Sequence, residues 1–260
     1  MSAKALGPGR RGVACYALLD RGSKTELGGL PSAPIFKGIV VTQHSSTGSL
    51  ASLVQPAPAS SEPLNREDLA RAAESLSRLF GSPQNLTDSE AREAVDVLSR
   101  IPGTNFTELW ADPKGFRQVW NENQQLFVGS PEALPLEESV YKAWTGDRSH
   151  PLAGEKGMAW GDPASHMLDV LESFGMIPDP EATMAPDHLA VLLEFLGFLI
   201  ENRPPEEIRS FCGDHLDWVH ELRKEAEERD LHQAFIGVVD AVESLAHHII
   251  STSAWEKNRG

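Results

Sequence analysis

The chain has 260 residues, 40% of them hydrophobic, and a formal charge of −15 at pH 7. That is enough for one large domain with a real core, and the negative balance argues against nonspecific binding to nucleic acid or anionic membranes while suiting a cationic partner. The two cysteines, Cys15 and Cys212, lie far apart and form no disulfide or zinc spacing, which points to a reducing compartment.

Arg10-Arg11 before GVACYALL has the form of a signal-peptide start. The apolar run stops at Asp20-Arg21 with no small-residue cleavage site after it, so it is read as uncleaved. Gly7-Pro-Gly9-Arg-Arg-Gly12 matches the letters G-x-G-x-x-G, but no strand precedes it, so a dinucleotide site is not supported. Residues 1–62 hold 8 Gly, 5 Pro and 9 Ser, with six basic residues against three acidic ones. This composition predicts a flexible or loosely structured extension. IFKGIVVTQ (35–43) could form a strand, without an obvious partner. Residues 63–260 carry a net charge of −18, from 17 basic and 35 acidic residues, and all six tryptophans.

From residue 63 the apolar residues recur at helical spacing. Asn65 is an N-cap candidate for a helix that Gly81 ends, and Thr87-Asp-Ser-Glu90 is a capping-box pattern. Asp112-Pro113 and Asp162-Pro163 each pair a capping acid with proline at a first helical position. Pro204-Pro205 followed by acids starts a further helix, and DHLDWVHELRKEAEERD and LHQAFIGVVDAVESLAHHII give two amphipathic ones. The prediction is an all-α, single-domain bundle of about seven to nine helices with a flexible N-terminal extension.

The chemistry-bearing residues are few. There is no Walker A loop, G-x-S-x-G elbow or H-E-x-x-H pair. Asp214, His215, Asp217 and His220 crowd what reads as one helix start, a solvated N-terminus with acids against the dipole. A metal site there would need ligands from elsewhere, such as Asp187 and His188. MAPDHLAVLLEFLGFLIEN (184–202) is the longest apolar stretch, but Glu194 divides it, so no segment reaches the roughly 18–20 apolar residues of a membrane span. Pro186, Asp187 and His188 stand at its mouth. On local grounds Asp187 caps the helix and His188 is a satisfied boundary histidine, while Glu194 needs a partner or an opening to solvent.

Pro186-Asp187-His188-Leu189 followed by LLEFLGFL, Glu138-Ser139-Val140-Tyr141 upstream, and Met158-Ala-Trp-Gly-Asp-Pro163 between them resemble, in order and spacing, the TorD/DmsD (NarJ-like) family of redox-enzyme maturation chaperones. The likeness spans about residues 64–250. Two departures are Ala185, where the family often has an acid, and Leu136-Glu137, where it often has proline and an aromatic. The resemblance implies an all-helical cytoplasmic chaperone with no reaction and no cofactor or metal of its own. Its partner would be the apo catalytic subunit of a molybdopterin oxidoreductase, often bound through a twin-arginine signal peptide. A monomer or a domain-swapped dimer is conceivable. Paired arginines beside an apolar stretch call for carboxylates beside an apolar groove. The expected client-binding residues are Asp187 and His188 as the polar centre, with Pro186, Glu194, Ser139 and Tyr141; Tyr141 and Trp144 read equally well as core. The competing expectation is a helical metal-dependent hydrolase using Asp187, His188 and His215.

Overall fold

The computed structural model describes residues 16–18, 64–81, 86–104, 112–122, 133–178, 184–253 and 255. Each helix begins where the sequence supplies partners for its first free N–H groups. In α1 (Arg66–Gly81), Asn65 Oδ1 accepts from Asp68 N at 3.0 Å and Asp68 Oδ2 accepts from Asn65 N at 3.2 Å. This is a reciprocal cap built from Asn and Asp. Thr87 and Glu90 form the expected capping box of α2 (Asp88–Leu98). Asp112 accepts from Lys114 N at 3.1 Å at the head of α3 (Pro113–Glu122).

The one-turn α4 (Glu138–Tyr141) and α5 (Asp162–Ser173) follow, then α6 (Leu189–Asn202), α7 (Pro205–His215), α8 (Val219–Glu228) and α9 (Gln233–Ser251). The described residues thus hold nine helices, within the expected range and all-α in class. They also hold a minimal antiparallel pair, β1 (Tyr16–Leu18) with β2 (Met176–Pro178), in the register Tyr16↔Pro178, Ala17↔Ile177, Leu18↔Met176. The strand expected at 35–43 and the glycine motif at 7–12 lie outside the described residues.

Among the described residues, helices α1 and α6 make the most extensive contact. They approach closely because Gly197 of α6 faces Ala70 and Ala73 of α1; a Cβ on Gly197 would sit 3.7 Å from the Ala70 carbonyl oxygen. Ser77 Oγ donates to the Ala190 carbonyl at 2.8 Å across this buried seam. The Arg66 guanidinium donates to the carbonyls of Ile200 and Arg203, satisfying the C-terminal end of α6. Around this pair Phe80, Trp120 and Phe235 bring α1, α3 and α9 into one aromatic cluster, with ring centroids 6.2–6.4 Å apart.

Three local expectations change. Asp162 does not cap α5: Gly161 holds the cap position, and Asp162 Oδ2 accepts from Thr145 Oγ1 at 2.9 Å and Gly146 N at 2.8 Å. Asp214 and His215 end α7 rather than begin α8, which starts only at Val219. Among the described residues, the helix long and apolar enough to span a membrane by length and composition is α9, not 184–202, and just over half of its apolar window, 56%, is buried inside the bundle. Cys212 is buried, and burial pushes its thiol up to about 12, so it is inert; Cys15 lies outside the described residues.

Candidate functional site

The turn before α6 is a clasp. Backbone N–H of Glu138 donates to the Asp187 carbonyl (3.0 Å), and Leu189 N donates to the Leu136 carbonyl (2.7 Å). Glu137 and His188 thereby form an isolated antiparallel bridge. Asp187 is fully buried; its Oδ2 accepts from Ser139 N at 2.8 Å, at the start of α4 rather than of α6. The Ser139 hydroxyl lies near enough to lower the carboxyl pKa but outside hydrogen-bond geometry, and burial, the larger effect, pushes that pKa up.

His188, not Asp187, caps α6. It is 8% exposed, and its Nδ1 accepts from Ala190 N at 3.2 Å. An accepting Nδ1 leaves the ring proton on Nε2. Burial brings its pKa down to about 4, so the ring is neutral at pH 7. Glu194 sits half-buried in the middle of α6, with Oε2 sealed and without a hydrogen-bond partner. Burial, helped by the charge of Glu74, raises its pKa to about 7.

Holding Ser139 fixes α4, and α4 forms one wall of a cleft of about 630 Å³. Glu138 is 2% exposed and accepts from His215 Nδ1 at 2.9 Å, with His215 itself 4% exposed. The other Glu138 oxygen meets Lys142 Nζ at 2.9 Å. Lys142 reaches on to Asp217 Oδ1 (2.6 Å) and the Asp214 carbonyl (2.6 Å). Burial works to lower the Lys142 pKa, but the hydrogen bond to Asp217 and the charge of Glu138 outweigh it and hold the ammonium above its ordinary value. The His166 ring stacks on His215, with centroids 5.2 Å apart and planes 8° apart.

Tyr141 closes the floor. It stacks on Trp218 at 5.0 Å, and its hydroxyl donates to the Pro135 carbonyl (3.0 Å) and Glu225 Oε2 (2.9 Å). Burial, then that bond to Glu225, pushes the phenol well above its usual range.

Five carboxylates line the cleft: Glu138, Asp162, Asp214, Asp217 and Glu221. Against them stand two ammonium groups, Lys142 and Lys156, so carboxylates outnumber ammonium groups in the lining. Of the six residues expected at a binding site, Tyr141 lines this cleft; Asp187 and Ser139 sit behind it in the clasp, His188 caps α6, and Pro186 and Glu194 lie away from its wall. Sequence reasoning missed Glu138, Lys142 and His166. The available signal was the E-S-V-Y-K spacing, which places Glu138 and Lys142 four residues apart. Among the described residues, no three His, Cys, Asp or Glu side chains converge as metal ligands, and Asp187, His188 and His215 do not meet.

Neither the curated proteins nor the solved structures compared with this chain gave a match. The family model described as nitrate reductase delta subunit matches residues 84–232, more than half of the chain and the span from before α2 to the end of α8. A carboxylate-lined cleft in an all-helical body is thus carried by a chain that belongs to the nitrate reductase delta subunit family, whose members are chaperones for molybdoenzyme assembly.

Proposed function

We propose that this chain binds the apo catalytic subunit of a molybdopterin oxidoreductase in the cytoplasm, through a twin-arginine leader, and holds it until the cofactor is inserted. The observation that carries the reading is the cleft: five carboxylates against two ammonium groups, on a floor of aromatic rings. Guanidinium groups pair with carboxylates in a two-bond fork, and flat aromatic surface accepts the apolar residues that follow the arginines. The finer likeness to the TorD/DmsD members supports the same partner.

In this reading Asp187 and His188 act indirectly. They fix the clasp that positions Ser139 and hence Glu138 and Tyr141. The client touches Asp214, Asp217 and Glu221 at the cleft rim. Binding is therefore salt-sensitive, since rim charges are screened within about 8 Å at physiological ionic strength.

Isothermal titration of the full chain with a leader peptide carrying paired arginines tests this. The expected result is saturable binding that weakens at high salt and disappears when both arginines become glutamine. Equal binding of the arginine and glutamine peptides, or binding of neither, overturns it.

A further inference from the structure

Lys142 fills a cation site inside the cleft. Its Nζ meets Glu138 Oε1 at 2.9 Å, Asp217 Oδ1 at 2.6 Å and the Asp214 carbonyl at 2.6 Å. All four residues line the cleft. The acceptors come from distant parts of the chain, one from α4 and two from the end of α7 and the turn after it. The Asp214 carbonyl is among the last of α7, where the helix dipole adds negative potential to that of the two carboxylates. Such a set of oxygens selects a cationic donor of the right reach. Here the donor is the protein's own.

This occupant is an exchangeable one. Lysine is a compact, strongly hydrated charge on a flexible four-carbon stem, so holding it in one place costs rotamer freedom. The Lys142 side chain is 26% exposed and that of Asp217 is 55% exposed, so their contact is open to solvent. Glu138 is sealed instead, and its other oxygen stays bonded to His215 Nδ1 whatever Lys142 does. Lys156, the second ammonium of the lining, is different. It reaches Glu221 only at 3.8 Å, and its side chain is 58% exposed, so it screens the cleft without filling a site.

We propose that Lys142 is a built-in competitor for an arginine of the leader: the client's guanidinium takes over Asp217 and the Asp214 carbonyl, and Lys142 withdraws onto Glu138. Both oxygens lie 2.6 Å from one nitrogen, close enough together for the N–H groups of a single planar fork. The exchange swaps one cation for another, so the buried Glu138 is never stripped of its partners. It also tempers the grip on a leader that must later be let go. The proposal rests on the cleft reading above and deepens it by naming the exchange that sets how tightly the leader is held.

The experiment is isothermal titration of full-length wild type, Lys142→Met and Lys156→Met with a synthetic peptide of paired arginines followed by an apolar run. Both variants remove one positive charge from the lining, but only the first vacates the site. Lys142→Met should bind about fivefold tighter than wild type, and Lys156→Met within about twofold of it. Adding Asp217→Asn to Lys142→Met should abolish the gain, because the vacated acceptor is then gone. Lys142→Arg keeps the ion pairs that hold the wall together and puts a better-matched fork in the site. It should weaken peptide binding about threefold, and it keeps the test intact if the methionine variant fails to fold.

Equal or weaker binding by a folded Lys142→Met protein, or equal gains in the two methionine variants, overturns the competitor and leaves the cleft reading standing. Tighter binding by Lys142→Arg does the same. No binding of the peptide by wild type or by any variant overturns both.

Discussion

Two acid–imidazole pairs lie one residue apart along the clasp and have opposite characters. Asp187 and His188 are neighbours in sequence, yet they do not bond to each other: one holds Ser139 N, the other caps α6, and the ring is neutral. Glu138 and His215 are 77 residues apart, yet they meet at 2.9 Å, and Glu138 continues through Lys142 to Asp217 at the surface. The first pair satisfies backbone groups that would otherwise be orphaned. The second builds part of the polar wall of the cleft. Adjacency in sequence thus marked two residues that bond to separate backbone groups, and only the fold brought together the pair beside the cleft.

Breaking the second pair should have the largest effect. Glu138→Ala leaves His215 and the half-buried Lys142 without their shared carboxylate. The expected loss is about 3 kcal/mol in urea unfolding, since removing one member of a buried pair leaves the other uncompensated. A loss below about 1 kcal/mol would mean that the pair is solvated, as exposed pairs are.

Glu194 tests the same contrast along α6. Its folded pKa of about 7 lies above the ordinary 4.5, so the folded state favours the protonated form. The stability this group contributes is complete below about pH 4.5 and is lost as pH rises through 7. Glu194→Gln keeps the shape without the charge. It should gain on the order of 1–2 kcal/mol over wild type at pH 8, allowing for partial exposure, and be indistinguishable at pH 4.5. Parallel stability curves for the two proteins across this range would show that Glu194 is already paired.

His188 should show the opposite slope. Its folded pKa of about 4 lies below the ordinary 6.5, so its contribution is present above pH 6.5 and is lost as pH falls toward 4. At neutral pH, His188→Ala should cost about 1 kcal/mol through the lost cap, while His188→Asn, a good capping residue, should cost only a few tenths. Equal losses in the two variants would assign the ring a packing role instead.

Helix positions were largely legible from sequence because caps are local chemistry: Asn65, Thr87 with Glu90, Asp112-Pro113 and Pro204-Pro205 all stand where α1, α2, α3 and α7 begin. Other helix starts were misread, among them the Asp162 cap of α5. Residues 214–218 carry acids and an apolar spacing that suit a helix start, but α7 runs to His215 and only three residues separate it from α8. At α6 two polar residues competed for the cap. The imidazole took it because the Asp187 carboxylate is drawn to Ser139, 48 residues away in sequence. The cleft was not legible for the same reason: its wall joins α4 to the α7–α8 turn, and no spacing rule links residues so distant.

The central claim is that the surface acids, not the clasp, meet the client. It is tested most directly by titrating an arginine-paired leader peptide into two variants: Asp214→Asn with Asp217→Asn, and His188→Asn. Loss of the two rim carboxylates should weaken binding about tenfold with little change in stability, and the His188 variant should bind within about twofold of wild type. Tenfold weaker binding by a folded His188→Asn protein, with unchanged binding by the double aspartate variant, would contradict the account.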